Sequence, residues 1–251
     1  MEKIPIVRII INTFVVPWNN LQLFSYALAV PILLLVCVWG VWHITSPTNT
    51  VLNLVFYCFY FIAFAYLAII CHQLILKENA SLHDVLLPNV SVLLRFIILM
   101  VAVYLLAILI EYTIITIYIN VLDPTISGDL TDEALKQKMS HKLEVAQYIA
   151  YIPSMYIIGR FCLVFPATAL GYKPSLKWSW RATKNNHFHI LVIVVLFPWL
   201  LQLFLNAIYR ENSTLVEQAS VALLTYISAA LGVFAISLTY KELYRIEQEK
   251  L

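Results

Sequence analysis

The chain has 251 residues, of which 62% are hydrophobic and only 12% charged, with a formal net charge of +2. Soluble domains are about 45–50% apolar and about 25% charged, so the composition excludes one, and so small a net charge gives no sign of a nucleic-acid partner. A mean hydropathy of +0.84, with apolar runs longer than the about 20 residues a bilayer helix needs, predicts an all-α polytopic membrane protein.

In chain order, six windows are apolar enough to span: 21–42, 51–76, 96–122, 145–170, 188–209 and 219–240. The first has no small-residue cleavage site and reads as a retained span rather than a signal peptide. A short amphipathic stretch precedes every second span, at 5–16, 81–87 and 175–183, each followed by asparagine: Asn19-Asn20, Asn89 and Asn185-Asn186. Ser81 and Ser175 stand where helix N-caps belong. Arg8 and Asn12, four apart, form a narrow polar stripe on an apolar helix, as in a segment lying in the membrane interface. The pattern admits three units of interfacial helix plus transmembrane hairpin. Because each unit carries two spans, successive units would enter from the same side, a parallel repeat.

Lysine and arginine set the orientation. Eleven fall in the N-terminal segment, the second and fourth connections and the tail; four, Lys136, Lys138, Lys142 and Arg210, fall on the other side, and Arg160 lies within a span. Both termini are predicted to be cytoplasmic. Trp39 and Trp42 end the first span at the outer interface, while Trp18, Trp178 and Trp180 precede spans on the inner side. Trp199, after Pro198 in mid-span, is expected to pack against a neighbouring helix at a proline kink.

Arg160 lies within the fourth span, with Pro166 six residues on, then Ser179-Trp180, Thr183 and Lys184 before the next span. This stretch resembles the YciC-type bacterial inner-membrane proteins and the related membrane domain fused to some glycerophosphodiester phosphodiesterases. The resemblance covers roughly 160–198 and elsewhere rests on span number and spacing. It implies a bacterial inner membrane and an all-helical domain. It carries no catalysis, which in the fused proteins belongs to a separate soluble domain.

A cation deep in a span costs about 2.5–3.5 kcal/mol on insertion scales and usually faces a bundle interior or cavity. Arg160 either snorkels or caps carbonyls, or it contacts an anion, a lipid headgroup or an essential packing partner. Glu111, 16 residues after Arg95, lies nearer the outer face. It either pairs with Arg160 across offset helices, or faces the periplasm, or is protonated in a low-dielectric site. Lys173, Lys177, Arg181 and Lys184 with Trp178 and Trp180 suit anionic headgroups, although orientation alone also explains the charges.

Residues 129–142 read as a short extramembrane helix, acids first and bases last, either a periplasmic lid or docking surface or the start of the next span. Cys37, Cys58, Cys71 and Cys162 read as buried free thiols. His187 and His189, two apart, point to different faces and make no metal pair; His83-Asp84 lacks a positioned nucleophile. Ser228 and Gly232, with Ala229 and Ala235, allow close helix packing. Pro31, Pro153, Pro166 and Pro198 fall in three spans, two of them in the fourth, as in transporters but also in membrane helices generally.

The residues together predict a non-enzymatic membrane protein without cofactor or metal, which the resemblance would place in a bacterial inner membrane. In one reading it binds or moves a lipid or other amphiphile, with Arg160, Lys177, Trp178, Trp180, Arg181 and Lys184 on an anionic group and a cavity between the fourth and fifth spans reaching Arg160. In the other it is a structural subunit that holds a protein partner, or another copy of itself, in the membrane.

Overall fold

The computed structural model describes residues 3–45, 49–77, 82–118, 133–208 and 214–248, the side chains of 133–142 and of a few helix ends excepted. All described elements are helices. They are α1 (Ile6–Asn19), α2 (Leu21–Thr45), α3 (Thr50–Leu76), α4 (Leu82–Leu86), α5 (Val90–Ile117), α6 (Glu133–Phe161), α7 (Val164–Ala169) and α8 (Leu176–Ala182). A composite fifth span follows, made of α9 (His187–Ile190), a π-helical segment (Leu191–Leu196) and α10 (Phe197–Ile208), and then α11 (Leu215–Gln248).

Six segments are long and apolar enough to cross a membrane: Leu21–Thr45, Thr50–Leu76, Val90–Ile117, Leu143–Ala169, His187–Leu205 and Val216–Ile246. Their outward faces carry large apolar side chains such as Leu33, Leu54, Ile98, Leu109 and Phe204, as suits the interior of a bilayer. The chain is therefore an all-α, multi-pass membrane protein. The short helices α1, α4 and α8 precede the first, third and fifth spans.

Caps and prolines decide where these helices start and break. Asn49 opens α3 by accepting the Val51 N–H at 2.8 Å, and Trp42 Nε1 donates to Asn53 Oδ1 at 3.1 Å across the same hairpin. Asn89 caps α5 through the Ser91 N–H at 2.9 Å, so that helix begins at Val90 rather than at the apolar onset near Phe96. Ser175 caps α8 through the Trp178 N–H at 3.1 Å; Ser81 lies outside the described residues. Asp129–Asp132 also lie outside them, and from Glu133 the backbone runs without a break into the fourth span.

That span breaks at Cys162-Leu163, between α6 and α7. Pro166 explains the place, because it has no N–H for the carbonyl of Cys162 four residues back and its ring crowds that oxygen. The chain tightens instead, with the Phe165 N–H on the Cys162 carbonyl at 3.3 Å. Pro198 acts the other way. With no N–H for the carbonyl of Val194, the preceding turns widen, and the Phe197 N–H reaches back five residues to the Val192 carbonyl.

After α7 the chain turns at Gly171, φ +89°. The Tyr172 N–H returns to the Ala167 carbonyl at 3.1 Å and the Gly171 N–H to Thr168 at 2.8 Å, a Schellman ending. No atom obstructs a Cβ at Gly171, so Gly171→Ala is expected to cost the left-handed backbone penalty alone, about 1–2 kcal/mol, measured as a shift in denaturation midpoint. Gly171→Asn should cost less.

Packing is concentrated toward one end. In α3, Leu67 through Ile75 are all buried, whereas Val51, Leu54, Tyr57 and Phe59 near its start are exposed. One apolar cluster joins α2, α3, α5, α7 and α11 around Phe24, Leu67, Phe96 and Phe234. A second joins the N-terminal segment, α7, the π segment, α10 and α11 around Ile4, Leu163, Ile193 and Leu243. At the packed end Lys3 Nζ donates to the Asn185 carbonyl at 2.7 Å, the Ile4 N–H to Asn186 Oδ1 at 3.1 Å, and Arg95 to the Tyr172 carbonyl at 3.2 Å. The N-terminal segment and the second and fourth connections therefore gather at one basic end.

Helix α1 buries Ile9 and Thr13 against the bundle and turns Val7, Ile11, Phe14 and Trp18 outward. That i, i+4, i+7, i+11 series is a second apolar stripe, suited to lipid. Two sequence expectations are corrected. Cys37 and Cys58 are exposed, and only Cys71 and Cys162 are buried; Trp199 is 45% exposed rather than packed on a neighbour. In a bilayer an apolar side chain satisfies hydropathy equally well facing lipid or facing protein.

Candidate lipid-contact site

The break at Cys162-Leu163 leaves the last carbonyls of α6 without helical partners. Helix α8 supplies one set. Ser179 donates its hydroxyl to the Arg160 carbonyl at 2.8 Å, while Thr183, four residues on, donates its own to the Ser179 carbonyl at 2.8 Å and lies 3.4 Å from the Arg160 oxygen. In return the Arg160 guanidinium donates to the Trp180 carbonyl, with its carbon 4.3 Å from the Trp180 ring centroid and 5.9 Å from that of Tyr156. The arginine, serine, tryptophan and threonine of the motif thus form a latch that docks α8 on the end of α6.

Arg160 is 4% exposed, and its Nε has no hydrogen-bond partner. No carboxylate among the described residues lies within ion-pair distance of it. A desolvated cation–π contact of about 2 kcal/mol and a charged hydrogen bond of about 1.5–3 kcal/mol offset its burial. Glu111 is engaged elsewhere: Ser154 Oγ donates to its Oε1 at 2.7 Å. Ser154 precedes Arg160 by six residues, about 9 Å along α6, so Glu111 and Arg160 sit at different depths.

The remaining candidates divide between two faces of α8. Trp178 is half-buried, its ring 6.3 Å from that of Tyr240 on α11. Lys177, Arg181 and Lys184, at i, i+4 and i+7, are exposed along one side, and Trp180 is partly exposed beside them. Arg160 lies beneath this surface; it positions α8, and the cations exposed there are those of the helix itself.

On α11, Ser228 and Gly232 are both buried. A Cβ at Gly232 would lie 3.2 Å from Pro198 Cγ, so this glycine admits the proline wall of α10. Sequence reading missed a polar layer in α3. His72 Nδ1 and Ser237 Oγ of α11 are 2.7 Å apart, and Gln73 Nε2 donates to the Ala169 carbonyl at 2.9 Å. The available signal was two consecutive polar residues in an otherwise apolar helix. Among the described residues no group of three or more His, Cys, Asp or Glu is placed to hold a metal.

Two cavities flank α3, and Arg160 lines neither. An apolar cleft of about 730 Å³ lies between α2, α3 and α5 at the loosely packed end, lined by Trp39, Trp42, Tyr57, Tyr60, Phe64 and Tyr104 among others. A cavity of about 580 Å³ lies at the packed end, lined by Gln73, Lys77, His83, Asp84, Asn89 and Gly171 among others. No family model, no curated protein and no solved structure matches this chain.

Proposed function

We propose that this is a non-enzymatic bacterial inner-membrane protein, both termini cytoplasmic, that binds or moves a lipid or other amphiphile. The observation that carries this reading is the cleft between α2, α3 and α5. Its walls are apolar and aromatic, with indole and phenol groups toward the end of α2 and the start of α3. Aromatic belts of this kind belong at the membrane boundary, and the void is within the range of small-molecule sites. A hydrocarbon chain fits such a surface better than water does.

The gathering of basic connections at one end supports the orientation. The exposed Lys177, Arg181 and Lys184 face of α8 supports contact with anionic headgroups there, at about 1 kcal/mol per residue. The motif resemblance over 160–198 supports the bacterial inner membrane.

The test is native mass spectrometry after gentle extraction, comparing the wild type with Val38→Trp, which fills the cleft from α2. The wild type is expected to retain a defined lipid and the variant to lose it while keeping its thermal stability. A wild type that emerges bare, or one that emerges instead with a stoichiometric protein partner, overturns the reading in favour of a structural subunit.

A further inference from the structure

The cavity at the packed end has the chemistry of a headgroup site, and assigning it rests on the lipid reading above. Two of its lining residues, Gln73 and Ala169, are buried and form the floor; His83, Asp84, Asn89 and Gly171 are exposed and form the rim, with half-buried Lys77 between. It stands where α3 ends and α5 begins, and so at headgroup depth.

Gln73 supplies the unusual observation. Its side chain is 4% exposed; the amide nitrogen is committed to the Ala169 carbonyl, and Oε1 has no hydrogen-bond partner. A buried acceptor left unmatched costs about 1–3 kcal/mol. The missing partner must be a donor, an N–H or O–H. Lys77 and the N-terminus of the 28-residue α5, the positive end of its dipole, call for an anion instead. Asp84 at the rim adds a carboxylate, which opposes a purely anionic ligand and suits a cation.

A single ligand meets both demands when it carries a phosphate and, a few bonds away, a primary ammonium. We propose that this cavity binds a phosphoethanolamine group, with the phosphate toward Lys77 and the start of α5 and the ammonium donating to Gln73 Oε1 near Asp84. Phosphocholine has the same charges and a similar length, but its quaternary nitrogen has no N–H to give. Discrimination between the two isolates the contribution of Gln73.

The experiment measures retained lipid by native mass spectrometry for delipidated full-length protein re-equilibrated with phosphatidylethanolamine, phosphatidylcholine or phosphatidylglycerol of identical chains. Phosphatidylethanolamine is expected to exceed phosphatidylcholine by about tenfold, the worth of one charge-assisted hydrogen bond. Gln73→Met should erase that preference. Lys77→Gln, at the half-exposed rim, should weaken both zwitterionic lipids alike and leave the preference standing, a pattern that general loss of structure does not produce.

Soluble phosphoethanolamine against phosphocholine repeats the comparison without tails. If it alone reproduces the Gln73-dependent preference, the same chemistry is assigned to a soluble ester. Equal retention of the two zwitterionic lipids, with no preference between the soluble esters, overturns the headgroup assignment and leaves the lipid reading intact. Preference for phosphatidylglycerol overturns the assignment likewise. Protein that binds none of these lipids or soluble esters overturns both.

Discussion

Arg160→Ala is expected to lower stability by about 2–4 kcal/mol, because one truncation removes the charged hydrogen bond to the Trp180 carbonyl and the stack on its ring. The loss should be local as well as global. With the guanidinium gone, α8 is held to α6 by the Ser179 hydroxyl, worth about 1 kcal/mol, and by the Trp180 ring against Tyr156 and Phe161. A thiol placed at the buried position 183 should therefore label faster in the Arg160→Ala background, and thermal unfolding in detergent should report the global loss. Arg160→Lys keeps the charge but lacks the planar fork that stacks and donates together, so it should recover only part of the difference. Wild-type stability in Arg160→Ala would show that the guanidinium is not what fastens α8.

The second large effect is expected at Gly232. Alanine there puts its Cβ 3.2 Å from Pro198 Cγ and 3.5 Å from Pro198 Cβ, and a pyrrolidine ring in a helix wall has little freedom to retreat. Gly232→Ala should cost about 1 kcal/mol and Gly232→Leu about 3 kcal/mol, as forced overpacking does. The mechanism is separable by a double-mutant cycle with Pro198→Ala, which removes the opposing ring. The two substitutions together should destabilise less than their sum, measured as melting temperatures in one detergent. Strict additivity would place the cost of Gly232→Ala somewhere other than the contact with Pro198.

These two sites also show which parts of the molecule are legible without coordinates. Span number follows from length and apolarity, which are local properties, and α3 and α5 stand out because their mean hydropathy, 2.4 and 2.9, stays high despite the polar residues they carry. Ser175 is readable as a cap for the same reason, whereas Asn89 is not, and its capping moves the start of α5 from Phe96 back to Val90. Arg160 stands out as an oddity, but its partner lies 20 residues away on a helix whose docking angle depends on the turn at Gly171, and no periodicity encodes that angle. The four-residue spacing of Ser179 and Thr183 is visible in the chain, whereas the carbonyl that Ser179 serves is open only because Pro166 stops α6. Gln73 is harder still, since an average over an apolar window absorbs one amide. Cys37, Cys58 and Trp199 mislead for a related reason: burial in soluble proteins has one meaning, and in a bilayer an apolar residue has two apolar places to go.

The uneven packing along α3 has a mechanical consequence. Where Leu67 through Ile75 are enclosed on every side, the helices brace one another and acyl chains are excluded from between them. Where Val51, Tyr57 and Phe59 stand open, acyl chains occupy places that side chains fill at the other end, and the membrane itself becomes part of the wall. Lateral pressure in that one leaflet therefore bears directly on the separation of α2, α3 and α5, so that chain length and unsaturation there tune the bundle more than they do in the opposite leaflet.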